Sequence, residues 1–307
     1  MIYHAEGCGG DRGRRYTACA VTVCGRKHNR EDRFHLLRRL GETWLSHVLF
    51  VYYLWHPPSP PRDNQVMERD SYRCVVSGIP DPSCPNQDDL DRQRASRLAI
   101  CHIFRRSVAV FDGDKPSSRE SLSARTTFDI LRRYANIPVK DPETLEKFIG
   151  YPSNCFTLNL MAYQGFDEFL WSLRETQAPN TYDIMYHALG HGIIPRVPQV
   201  TFKDHSATVN DINKNRPSKM PLYAAASSSP DKGIPLPDPL FLRIHNAIAG
   251  VLHASGAAVF LDEFIKDLGK GASSGGVICG DNMADWLRDC MIRTELESSF
   301  QDRLVFL

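Results

Sequence analysis

The chain has 307 residues, 42% hydrophobic and 24% charged, with a formal net charge of +1. That length supports a real core and one elaborated domain or two smaller ones, and the composition excludes global disorder. A balance so near neutrality also excludes a global basic field, so any nucleic-acid contact has to come from local patches.

Nine cysteines, at positions 8, 19, 24, 74, 84, 101, 155, 279 and 290, are an odd count with no CxxC pair. That pattern argues against a secreted disulfide framework and against a zinc ribbon. The opening MIYHAEGCGGDRGRRYTACAV does not read as a signal peptide, because its apolar run is short and broken by Gly, Asp and Arg. The longest greasy segment, WLSHVLFVYYLW (44–55), falls short of the ~20 residues that a bilayer-spanning helix needs and reads as a buried helix. These features predict an intracellular protein, nuclear or cytoplasmic, with reduced thiols and no membrane partner.

Residues 1–32 lack periodicity and read as an irregular or disordered tail. From Arg33 to Tyr53 the apolar positions Phe34, Leu37, Leu40, Trp44, Leu45 and Val48 recur at helical spacing, and HPPSPPRD (56–63) stops that helix and forms a linker. Alternation over Tyr72–Ser77 predicts a short strand ending in a turn at Ser77-Gly78. After the charged run 88–97, the β-branched and aromatic stretch Leu98–Phe104 predicts a second strand. Gly, Pro and Ser content makes 110–125 a loop, and Phe128–Tyr134 reads as helical. DPETLEKFIG (141–150) carries cap, Pro and terminal Gly in the places a short helix wants them.

A turn and extended run follow at 151–158, then a helix marked by Leu160, Tyr163, Phe166, Asp167, Leu170 and Trp171, reaching about Arg174. Residues 180–236 read as irregular with short β-like runs. The region 238–268 is the clearest helix, interrupted at Ser255-Gly256; a loop (269–276) and a last helix (285–292) close the chain. The fold class is α+β. The boundaries are a tail at 1–32, a helix and linker at 33–66, a central domain at 67–176, a β-containing segment at 177–236 and a helical region at 237–307.

The stretch RLAICHIFRRS (97–107) places His102 at the end of an apolar strand, followed by Arg105 and Arg106. Asn154 stands in the turn before the next extended run, and a helix follows. The strand expected near Cys74–Gly78, the strand carrying His102 and the helix after Asn154 give strand, strand and helix, with His on the second strand and Asn just before the helix, an order that suits the hydrolysis of phosphodiesters. A neutral imidazole takes a proton from water, a divalent ion offsets the charge growing on phosphate, an amide holds the loop or the imidazole in register, and guanidinium groups hold phosphates. The plainer readings stay open. A single histidine on an apolar strand is more often a hydrogen-bonded core residue than a catalyst. Arg105 and Arg106 also suit a solvated strand end, Asn154 suits a simple turn, and Cys74 and Cys101 suit packing as small apolar groups.

RDSYRCVVSG (69–78), CHIF (101–104) and PSNCFTLNLMAYQGFDEF (152–169), in that order, resemble the HNH endonucleases with the ββα-metal fold, most closely a group common in fungal genomes. LLRRLGETWLSHVLF (36–50) and residues 235–268 also resemble that group's flanking helices, so the resemblance spans about 33–292. It implies an HNH nuclease-like domain at 67–176 with flanking helices. It implies His102 as general base, Asn154 as the supporting amide, and Asp167 as an oxygen ligand to a divalent metal, Mg²⁺ being the expected ion. At the third motif position this chain has Tyr163 where active members place a metal-binding His, and a phenol is the poorer ligand. The resemblance implies metal-dependent hydrolysis of DNA. The alternative is a degenerate module that binds nucleic acid or protein without cutting.

A second pattern, YHALGHG (186–192), sets His187 and His191 four apart, where a helix would present both to zinc or copper. Gly190 and Gly192 argue against that helix. His245 and His253 fall on the polar flank of the predicted helix.

Overall fold

The computed structural model describes residues 1–53, 64–85, 87–104, 117–138, 141, 144, 149–187, 197–214 and 233–261. The architecture is α+β. In chain order come α1 (Ile2–Gly25), α2 (Arg30–Trp44), a π-helical turn (Leu45–Leu49), α3 (Phe50–Tyr53), α4 (Asn64–Arg69), α5 (Asp89–Arg94), β1 (Leu98–His102) and α6 (Arg119–Tyr134). A 3-10 turn (Pro152–Asn154) leads to β2 (Cys155–Asn159), α7 (Leu160–Asp167), β3 (Trp171–Glu175), β4 (Thr181–Tyr186), β5 (Gln199–Thr201), α8 (Ser206–Lys214) and α9 (Pro239–Ser255). The chain divides into two compact units, one of residues 1–54, 107–143 and 256–307, the other of 55–106 and 144–255.

In the first unit, α1 packs on α6 and on α2. The expected irregular tail at 1–32 is therefore corrected to a helix over most of its length. Its buried stripe is Ala5, Cys8, Gly13 and Thr17, small residues that leave no hydrophobic periodicity to read. The helix is kinked at Gly10 (φ 58°, ψ −150°), a backbone state open to glycine alone. A Cβ on Gly9 or on Gly13 would lie 2.1 Å from the carbonyl oxygen of Tyr134 at the end of α6. Close backbone approach is what these two glycines provide.

The predicted helix at 33–53 starts three residues earlier, because Asn29 Oδ1 accepts from the Glu31 N–H (2.9 Å) and caps it. In α6 the Ser118 hydroxyl accepts from the Ser121 N–H (3.2 Å). Residues 119–125, read as loop from their serines, are thus helix: one serine is the cap, while Ser121 and Ser123 are buried. Ser123 Oγ hydrogen-bonds buried His47 Nδ1 (3.2 Å).

In the second unit, β1 and β2 pair antiparallel with Leu98 opposite Asn159 and His102 opposite Cys155. Helix α7 packs against both strands. Asn159 Oδ1 caps it through the Ala162 N–H (2.8 Å). The helix stops at Asp167, earlier than expected, because Phe169 turns left-handed (φ 58°) and the Leu170 N–H reaches back to the Gly165 carbonyl (2.8 Å). Trp171 to Arg174 then belong to β3, in a three-stranded antiparallel sheet ordered β3-β4-β5. Helix α9 lies on β3 and ends where Gly256 takes φ 72°, at the predicted interruption.

The strand expected at Tyr72–Ser77 is not formed. Ser71 and Tyr72 have φ near +58° and +54°, so the chain folds into a knuckle closed by a single bridge, Arg73 with Pro80. The Val75 N–H donates to the Thr157 carbonyl (3.1 Å) and tacks the knuckle onto β2. The charged run after it forms α5, capped by Asp88 through the Asp91 N–H (2.6 Å). The linker at 56–63, most of the helix at 141–150 and everything expected at 269–276 and 285–292 lie outside the described residues.

Candidate functional site

The site is built from a buried ion pair outward. Arg69, at the end of α4, is fully buried, and all five of its guanidinium N–H groups are used. Nε and Nη2 donate to the two carboxylate oxygens of Asp70 (2.7 and 3.1 Å). The remaining bonds go to the carbonyls of Pro152 (2.9 Å), Pro235 (2.7 Å) and Cys155 (2.7 Å). Asp70 Oδ2 in turn accepts from the Thr157 N–H (2.8 Å). A buried charge is tolerable when its partner and donors are satisfied in this way. The pair therefore fixes the turn 152–155 from both sides of Asn154.

Asn154 is fully buried. Its Oδ1 accepts from the Phe104 N–H (2.7 Å), and its Nδ2 donates to the carbonyls of Phe104 (2.9 Å) and Ile149 (3.1 Å). The Asn154 carbonyl also accepts from the Ile103 N–H (2.9 Å). The strand end that carries His102 is clamped by these bonds, one and two residues beyond the histidine. His102 itself is half-buried, between a sealed Cys101 and a sealed Ile103. Its partial exposure leaves this residue within reach of water.

Tyr163 and Asp167 sit one turn apart on α7, and both are buried, at 7% and 9% exposure. His102 and Asn154 are thus brought together by direct bonding of their segments, and Tyr163 and Asp167 lie on the helix that covers the same two strands. Arg105 and Arg106 lie outside the described residues. For a hard divalent ion the four residues offer one carboxylate and one phenol. Among the described residues no group of three His, Cys, Asp or Glu side chains could hold a metal. Such a donor set does not amount to a protein cage.

Sequence reading passed over Arg69 and Asp70. Adjacent opposite charges look like a solvated turn, and nothing local marks them as sealed. Of the pair His187 and His191, only His187 is among the described residues. His187 follows β4, its Nε2 lies 2.7 Å from Ser172 Oγ, and its ring stacks on His253 at 5.3 Å. His245 is not on a polar flank. It is 2% exposed, stacked on Phe166 and Phe169, and its Nε2–H donates to the Phe166 carbonyl (3.1 Å).

No protein-family model, curated protein or solved structure matches this chain. Among the described residues no helix is long and apolar enough to cross a membrane.

Proposed function

We propose that the second unit is an HNH-type nuclease module, a ββα-metal core formed by β1, β2 and α7, directed at the phosphodiester backbone of DNA. The observation that carries this reading is the Asn154 clamp. A buried amide that takes both backbone polar groups of Phe104 holds the strand end next to a partly exposed histidine, in the position a general base requires. His102 accepts a proton from the attacking water. Asn154 keeps the strand end and the preceding turn in register. Arg105 and Arg106, next in sequence, would hold the flanking phosphates. Asp167 is the residue that would bind Mg²⁺, with Tyr163 a poor second donor. When bound, the ion offsets charge growing on the phosphate.

A second reading, a module that binds nucleic acid or protein without cutting, is favoured by one observation: the helix position suited to a metal-binding imidazole carries the buried phenol of Tyr163.

Plasmid nicking with Mg²⁺ or Mn²⁺ separates the two. Nuclease action requires nicking by the parent chain that His102→Ala abolishes. Tyr163→His is expected to raise the rate at least tenfold by restoring a ligand. No nicking by either the parent or Tyr163→His, together with a salt-sensitive gel shift, would leave the non-cutting reading in place.

A further inference from the structure

The first unit carries a cleft of about 620 Å³ lined by Arg12, Tyr16, Arg132, Arg133, Asn136 and Ile137. We propose that this cleft is a binding site for the phosphate groups of an oligoanion, which goes beyond the reading of His102 and does not depend on it.

Arg12 and Tyr16 stand four residues apart on α1, so they share one face. Arg132 and Arg133 come from the last turn of α6. The walls are pinned together where Gly9 and Gly13, on either side of Arg12 in sequence, admit the Tyr134 carbonyl. Asn136, held at φ 53° just after α6, accepts from Arg12 Nη1 through its Oδ1 (3.4 Å). A neutral amide thus orients the Arg12 guanidinium without neutralising it.

The nearby acids do not neutralise it either. Glu6 and Asp11 are both taken by Arg14, at 3.1 and 2.8 Å. Asp129 lies one turn before Arg132 and Arg133, at ion-pairing spacing. Yet among the described residues no carboxylate forms an ion pair with Arg12, Arg132 or Arg133. Two arginines in the last turn of a helix also suit its dipole. That does not account for a third guanidinium brought from another helix to the same concavity, nor for the amide that aims it.

Three like charges around one open space repel one another unless an anion enters. Guanidinium forks match phosphate oxygens in pairs, and Arg is the residue suited to that geometry. Tyr16 adds an aromatic face and a hydroxyl, and Ile137 is buried beneath. The ligand chemistry is therefore clustered phosphate, supplied either by a nucleic-acid strand or by a small polyphosphate.

The test uses the full-length protein with two probes, a fluorescent single-stranded DNA 20-mer read by anisotropy across a salt series and inorganic triphosphate read by calorimetry. The variants are R12Q/R132Q/R133Q and, as control, R14Q, whose guanidinium is already paired on the same helix. Circular dichroism melts check that each is folded, and the double variant R132Q/R133Q serves if the triple one is not. The expected result is at least a tenfold loss of affinity in the triple variant for whichever probe the parent binds. For DNA, the salt slope should also fall by about two, as the loss of roughly three phosphate contacts to a single strand requires. R14Q should stay within twofold of the parent. Binding of DNA alone assigns a strand as the source, and binding of triphosphate alone assigns the small ligand. If the parent binds neither probe, or the folded variants bind as tightly as the parent, the proposal is overturned. Nicking by the parent and His102→Ala reads the other unit separately.

Discussion

Arg69 and Asp70 are neighbours in sequence and form a bidentate ion pair with both side chains sealed from solvent. Removing one partner strands the other. Arg69→Met is expected to cost about 3–5 kcal/mol, since it leaves an uncompensated carboxylate and three carbonyls short of a donor. Urea denaturation reads this directly. A loss under about 1 kcal/mol would mean that the turn at 152–155 is held by something else.

The Asn154 clamp makes a local prediction as well as a global one. Asn154→Ala leaves three buried backbone groups unpartnered, each at a cost of about 1–3 kcal/mol. Hydrogen exchange at Phe104 N–H, now bonded to Asn154 Oδ1 at 2.7 Å, should speed at least tenfold. Exchange in β4, which has no bond to Asn154, should change far less. Equal acceleration at both places would show global unfolding and remove the claim that the amide specifically holds the strand end.

Two glycines of α1 should respond oppositely to the same substitution. Gly13→Ala puts a methyl 2.1 Å from the Tyr134 carbonyl oxygen and is expected to destabilise by about 1–3 kcal/mol. Nothing lies within 4 Å of a Cβ built on Gly7, so Gly7→Ala should stabilise by up to ~1 kcal/mol through helix propensity. Thermal melts of the two variants check the sign. Two equal shifts would contradict the close packing of α1 on α6.

The Asp91 carboxyl is held below the usual carboxylate range, first by its hydrogen bond from Arg73 and then by Arg94. A folded-state pKa below the unfolded one gives stability that is present above about pH 4 and is lost as pH falls through the folded value. Asp91→Asn should therefore flatten the acid limb of a urea-midpoint profile below pH 4. An unchanged acid limb would assign that sensitivity to other carboxylates.

What could be read from the sequence depended on which forces shaped each element. Strand β1 was legible because Leu98 to Cys101 are sealed on both faces and form a continuous apolar run. Helix α9 was legible because Ile244, Ile248 and Val251 recur at helical spacing along its buried face. The knuckle at 70–81 was misread because its alternation is real in sequence, but two left-handed residues, Ser71 and Tyr72, break the strand. Helix α1 was missed because its contacts rely on the absence of side chains at Gly9 and Gly13. The chain order of the segments carrying His102 and Asn154 was legible. The ion pair that supports them was not, since burial of Arg69 is decided by Pro152 and Pro235, which lie far along the chain.

The meeting of Gly9 and Gly13 with Tyr134 has a bearing on how the protein is made. About 120 residues separate the two sides of that contact, and the first part of the second unit is synthesised between them. At roughly 5–20 residues per second, α1 leaves the ribosome some seconds to tens of seconds before α6 exists, with only α2 to pack on. A nascent segment carrying four glycines by residue 13 has little reason to hold a helix in that interval, so its winding belongs to the late docking step rather than to early local folding.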